Sequence, residues 1–191
     1  LHLSIRRQRQ MCIRDRMYSQ PDVWHALMRQ LTPTIIRFLQ VQVEAGVDAL
    51  QLFDSWAGYL TARDYREFVR PYSTEIFNAM RAYGVPMIHF GVGTGELLGD
   101  MALAGPDVVG VDWRVPLDSA ATRVSAALQE ADPTAESATR AKALQGNLDP
   151  AVLFAGPEVV EAQIGRICAE ADRAIERGQA RGHIFNLGHG V

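Results

Sequence analysis

Five short apolar runs punctuate the chain: Ala49 to Phe53, Val85 to Phe90, Val108 to Val111, Ala143 to Gln145 and His183 to Leu187. They are too short for packed helices, and four of them are separated from the next by a stretch with helical composition or periodicity. Such alternation predicts a parallel sheet with helices packed outside it. Each run ends in a polar or glycine-rich segment. In order these are Asp54-Ser55-Trp56-Ala57-Gly58, Gly91 to Gly95, Asp112-Trp113, Gly146-Asn147-Leu148-Asp149 and Gly188-His189-Gly190. They fall at the C-terminal ends of the strands, where parallel α/β folds place their chemistry. Five βα units make up most of an eight-stranded barrel, which takes about 250 residues when complete. This chain has 191. The fold class expected is α/β, a partial (β/α)8 barrel of the TIM type.

The helical stretches carry their own punctuation. Pro21 suits a first helical turn, and Pro33 is expected to split the stretch, with Thr32 capping a second helix that ends near Gly46. Thr61 and Asp64 form a capping-box-like start, Pro71 interrupts the helix that follows and Gly84 ends it. Further helices are expected near Glu96 to Ala104 and over Leu117 to Glu130. Ala131 to Arg140 is polar, contains Pro133 and reads as a loop insertion. Over Glu158 to Glu176 an apolar stripe of Val160, Ile164, Ile167, Cys168, Ala171 and Ile175 predicts a helix facing a core. Cys168 is read as a packed core cysteine on that stripe.

Composition narrows the function classes. Apolar residues make up 48% and charged residues 21%, as in globular proteins, and the net charge of −3 offers no nucleic-acid footprint. No run approaches the roughly 18 apolar residues that cross a bilayer. Cys12 and Cys168 are far apart and form no metal-type pair, and a reducing cytoplasm is the simplest compartment. The ends stand apart. Leu1 to Arg16 is rich in Arg without an apolar period and is read as a non-native or disordered head, with residues 17–191 as the barrel portion. The other end stops at Gly188-His189-Gly190-Val191, directly after an apolar run, so the chain is expected to be a fragment.

Three of the strand-end segments carry a family likeness. Phe53-Asp54-Ser55-Trp56-Ala57-Gly58, Leu144-Gln145-Gly146-Asn147-Leu148-Asp149-Pro150 and Phe185-Asn186-Leu187-Gly188-His189-Gly190 resemble, in order, signature stretches of the uroporphyrinogen decarboxylases. Val111-Asp112-Trp113 fits the same alignment, and the resemblance runs from about Met17 to Val191. It implies roughly the last five βα units of a barrel, from a parent that is usually a homodimer. It implies a carboxy-lyase acting on the four acetate side chains of uroporphyrinogen III to give coproporphyrinogen III, with neither metal nor organic cofactor. By resemblance, Ser55 and His189 contact the polar groups of the macrocycle and Phe53 forms an apolar wall. The family's arginines for substrate carboxylates, its Asp at the pyrrole NH groups and its cleft Tyr belong to an upstream part with no counterpart here. The catalytic set is therefore expected outside this chain, which alone should be inactive. The insertion at 131–140 is longer than the family pattern, and the family's final helix has no counterpart.

Two other readings compete. Gly91-Val92-Gly93-Thr94-Gly95-Glu96 follows a strand, opens a helix and is trailed by Asp112, which imitates a nucleotide-binding fingerprint and the first motif of S-adenosylmethionine-dependent methyltransferases. Against it, His89-Phe90 stands where those enzymes place an acidic residue, and the plainer reading is a flexible loop at the barrel mouth. His89, His183 and His189 could hold zinc, as in cobalamin-related methyltransferases of this superfamily. Those place a Cys shortly after a His, and no Cys lies near His89, so no metal is expected. His89 and His183 are read as strand histidines with ordinary partners. Asp54 and Asp112 are read as caps or partners of backbone amides at least as readily as catalytic acids. Trp56 and Trp113 are expected to pack beneath loops. Ser55 lacks a His and an Asp at triad-like spacing, which excludes a hydrolase.

Overall fold

Each of the five apolar runs forms a strand in the computed structural model, which describes residues 12–136 and 141–190. The strands are β1 (Leu50–Phe53), β2 (Met87–Phe90), β3 (Val108–Gly110), β4 (Lys142–Leu148) and β5 (Ala180–Leu187). They pair in parallel in the sequential order β1-β2-β3-β4-β5. A sheet that advances one strand at a time through same-handed crossovers keeps its helices on one face, as a barrel does. Gln145 on β4 donates its Nε2 to Gln51 Oε1 on β1 at 3.0 Å, across two intervening strands. Laid flat, strands three places apart would be separated by about 14 Å, so the sheet curls toward the face these glutamines share. The fold is a partial barrel, as the alternation predicts.

The helices are α1 (residues 12–19), α2 (Pro21–Glu44), α3 (Ala62–Phe68), α4 (Arg70–Met80), α5 (Leu98–Leu103), α6 (Leu117–Ala131) and α7 (Pro157–Glu176). Thr61 caps α3, its Oγ1 accepting the Asp64 N–H at 3.1 Å. Val69 breaks the run before α4, with Pro71 in the first turn of α4. Gly84 follows α4 in the left-handed conformation, with φ +67°. All three agree with the sequence reading.

Pro33 departs from expectation. It lies inside one continuous α2, and Thr32 caps nothing. The missing proline N–H removes the donor due to the Arg29 carbonyl. One residue earlier, the Thr32 hydroxyl donates to the Met28 carbonyl at 2.9 Å. What keeps the helix whole is packing, since Ile35, Ile36, Leu39 and Val43 all join the core against β1 and α4.

The core has two main parts. One gathers Val109, Leu144 and Leu148 from β3 and β4 against Leu117, Ala121 and Val124 of α6 and Ile167, Ala171 and Ala174 of α7. The other packs Leu39 of α2 with Leu50, Ile76, Phe77, Met80 and Met87. Cys168 corrects the stripe on α7: it is exposed. The buried line runs through Ile167, Glu170, Ala171 and Ala174, with Ile164 at its edge, and residue 168 turns away by one helical step. Glu170 is buried because its carboxylate accepts the Leu117 N–H at 3.0 Å, at the start of α6, and Arg166 Nη1 at 2.6 Å.

Of the segment read as a head, residues 1–11 lie outside the described residues. Residues 12–16 form the first turns of α1, and burial begins at Met17. Of the insertion read at 131–140, residue 131 closes α6, 132–136 form a turn-rich loop, and 137–140 lie outside the described residues. No described helix is long and apolar enough to cross a membrane.

Candidate functional site

The strand-end segments meet at one end of the sheet. After Phe53 the chain turns sharply: the Asp54 N–H donates to the Phe90 carbonyl at 2.7 Å, and the Asp54 carbonyl accepts from Ala57 N at 3.1 Å. This leaves Ser55 and Trp56 facing outward. Gly58 lets the turn lie against its neighbour, because a Cβ there would collide with the Val92 carbonyl. Gly188 does the same on the far side, where a Cβ would run into the Trp113 backbone.

The result is a cavity of about 570 Å³ lined by residues from four of the five strand ends. Ser55, Trp56, Gly58 and Tyr59 follow β1, Val92 and Gly93 follow β2, Arg114 follows β3 and His189 follows β5. Ser55 and His189, assigned to one cleft by resemblance, line the same cavity although their strands are the outermost of the sheet. Phe53 sits lower on the curled face, edge-on to Phe90 with centroids 6.0 Å apart, and does not line this cavity. His189 Nδ1 lies 2.8 Å from the Gly190 carbonyl and must donate to it, so Nε2 is the nitrogen left for a ligand. Its ring stands edge-on to Trp113 at 5.8 Å.

Trp56 corrects the expectation of a packed tryptophan. It is 58% exposed, stacks on Tyr59 and walls the cavity. Trp113 does pack beneath a loop, the one that begins at Gly188.

Asp112 takes the plain role considered for it. Its buried carboxylate accepts the Gly93 N–H at 2.5 Å, the Arg114 N–H at 3.0 Å and Arg114 Nη1 at 2.6 Å. That also removes the nucleotide reading of Gly91 to Gly95. The acid that would hold a ribose is turned onto the loop's own amide, and the sequential strand order has no switch point to form a crevice.

Asp54 behaves otherwise: its Oδ2 is buried without a hydrogen-bond partner, 3.6 Å from His89 Nε2, which is equally unpartnered. The Tyr65 hydroxyl completes this polar group behind the 54–58 turn. Burial pushes the Tyr65 phenol well above its ordinary range, and the Asp54 carboxylate adds to the rise. Nothing in the sequence marks Tyr65 as part of this group.

The three histidines considered for zinc do not converge. His89 packs on Phe77 with centroids 5.0 Å apart, and His183 Nε2 pairs with the Gly146 carbonyl at 2.7 Å. No three metal-ligating side chains come together among the described residues. The site residue that sequence reasoning missed is Arg114. Its only signal is a basic side chain directly after the strand-end pair Asp112-Trp113.

Comparison with known proteins gives the ancestry. A family model described as uroporphyrinogen decarboxylase matches residues 7–191. The chain is 63% identical over 175 residues to a uroporphyrinogen decarboxylase of Rhodococcus erythropolis, covering 92% of this chain and 45% of that protein. It is 61% identical to the Corynebacterium diphtheriae protein of that name, covering 92% and 46%, and 59% identical to that of Nocardia farcinica, covering 92% and 45%. The chain spans about half the length of the curated relatives it matches.

Proposed function

The chain belongs to the uroporphyrinogen decarboxylase family, and from that premise we propose that it is the C-terminal portion of an enzyme that decarboxylates the four acetate side chains of uroporphyrinogen III to give coproporphyrinogen III. The observation that carries this reading is the meeting of Ser55 and His189, from the two outermost strands, in one cavity at the C-terminal end of a curled parallel sheet. A volume of about 570 Å³ is in the range of small-molecule sites, and part of a closed barrel mouth would add to it.

The chemistry explains the division of labour. A carboxylate leaves as CO2 only if its bonding electrons are accepted, and a pyrrole protonated at carbon accepts them. A group must deliver that proton, and an anion must stabilise the cationic ring. In this reading the upstream half supplies that anion and most of the positive charge for substrate carboxylates. Ser55 offers a hydroxyl that donates and accepts, and His189 offers Nε2. Both orient the macrocycle, with Phe53 as an apolar wall below them. We place the parent in the cytoplasm as a homodimer without a nucleic-acid partner.

The test joins this chain to the upstream half of the Rhodococcus erythropolis relative and follows coproporphyrinogen by chromatography. Turnover without added metal, flavin or nicotinamide is expected. Ser55→Ala and His189→Ala should each lower kcat/KM by roughly tenfold or more, since misplaced substrate reacts slowly even when the chemical groups survive. A joined protein that folds and leaves uroporphyrinogen untouched contradicts the reading.

A further inference from the structure

We propose that Arg114 binds a carboxylate of the substrate, an inference that rests on the decarboxylase reading and deepens it. Arg114 is the one cationic side chain lining the cavity shared by Ser55 and His189. It is held on two sides. Its Nη1 donates to Asp112 at 2.6 Å, and its guanidinium carbon stands 3.8 Å above the centre of the Trp113 ring. A guanidinium has five N–H donors in a fixed fork. Among the described residues this one donates only to Asp112, so the other donors remain for a ligand.

The charge arrangement favours that use. Asp112 is 2% exposed, whereas Arg114 is 50% exposed and lines the cavity. The negative charge of Asp112 is shared among three donors, the Gly93 amide, the Arg114 amide and Nη1. It fixes the guanidinium without occupying its outer edge. A planar fork already oriented by a ring face and a buried acid loses little freedom on meeting a carboxylate, which is the usual reason arginine is found at such sites. Uroporphyrinogen carries eight carboxylates, and the acetate and propionate groups on one side of the macrocycle would lie beside Ser55 and His189. Arg114 is then a specificity residue on this half of the barrel, separate from any cation the other half contributes.

The alternative is a surface pair that merely tethers the β3 loop, and the two differ in what they predict. In the joined protein, Arg114→Gln should raise KM for uroporphyrinogen about tenfold, the loss of one charge-assisted contact, with kcat changed less than about twofold. Arg114→Lys, which keeps the charge and loses the fork, should fall between. Arg37→Gln, a charge removed from the outer helix α2, should leave both constants alone. A second measurement covers loss of turnover. Quenching of tryptophan fluorescence by uroporphyrin, with eight carboxylates, and by coproporphyrin, with four, should show Arg114→Gln weakening the first more than the second. A wild-type joined protein that folds but turns over nothing sinks the decarboxylase reading, and the uroporphyrin titration then decides on Arg114 alone. Equal KM and equal quenching for wild type and Arg114→Gln, or the same losses with Arg37→Gln, overturn the proposal.

Discussion

The middle of the sheet and its β1 side are built to different degrees of completion. In the middle, Val109, Leu117, Val124 and Ile167 are wholly buried between β3, β4, α6 and α7. On the β1 side, α2 buries only Thr32 and Leu39, while Val23, Leu27, Leu31, Phe38 and Val41 stay 44–66% exposed along its outer face. Those five recur at roughly helical spacing, which is the pattern of a face meant for a neighbour. A helix in a barrel has a helix on either side, and among the described residues α2 packs mainly against α4, touching the end of α3 at Phe68. Packing is thus finished where the chain's own elements surround a strand and unfinished where a barrel would continue.

The sharpest way to break that contrast is in the middle. Ile167→Ala should lower stability by about 3 kcal/mol in urea unfolding, the ordinary cost of emptying a fully packed site. A loss near zero would mean the centre is no better packed than the edge.

Apolar runs disclosed all five strands, but β4 and β5 extend through Gly146-Asn147 and Arg181-Gly182, because ladder hydrogen bonds ask nothing of the side chain. Pro33 and Cys168 misled for one shared reason: local rules do not say which helix face has a neighbour. The mouth was readable through Ser55 and His189, which sit in distinctive segments. Arg114 and the Asp54–His89–Tyr65 group were not, since their meaning comes from residues far away in the chain.

At the edge the expected effects depend on context. Leu31→Ser or Phe38→Ser should change the stability of the 191-residue chain by no more than about 0.5 kcal/mol, as for surface sites. In the joined protein the same changes should cost about 2 kcal/mol, because the face is then covered. Equal effects in both contexts would show that α2 has no further neighbour.

The smallest effect concerns the tie between α6 and α7. Burial pushes the Asp118 carboxyl up, and the Arg173 guanidinium with the Ser119 N–H together outweigh it, holding the group below its ordinary 3.8. A depressed folded value stabilises above the unfolded value and loses that contribution as pH falls through the folded one. Arg173→Gln should therefore cost about 0.5 kcal/mol at neutral pH, fading as the pH drops below 3.8. A penalty that persists unchanged in acid would show that the pair contributes by packing alone.

As proposed, this chain forms one wall of a decarboxylase cleft and the upstream half the other. Mixing tests it directly. The 191-residue chain, incubated with uroporphyrinogen, should yield no coproporphyrinogen. Adding the separately made upstream half of the Rhodococcus erythropolis relative should produce turnover that rises with its concentration and saturates. Coproporphyrinogen from this chain alone, at a rate the added half leaves unchanged, would show that the cleft needs no second wall.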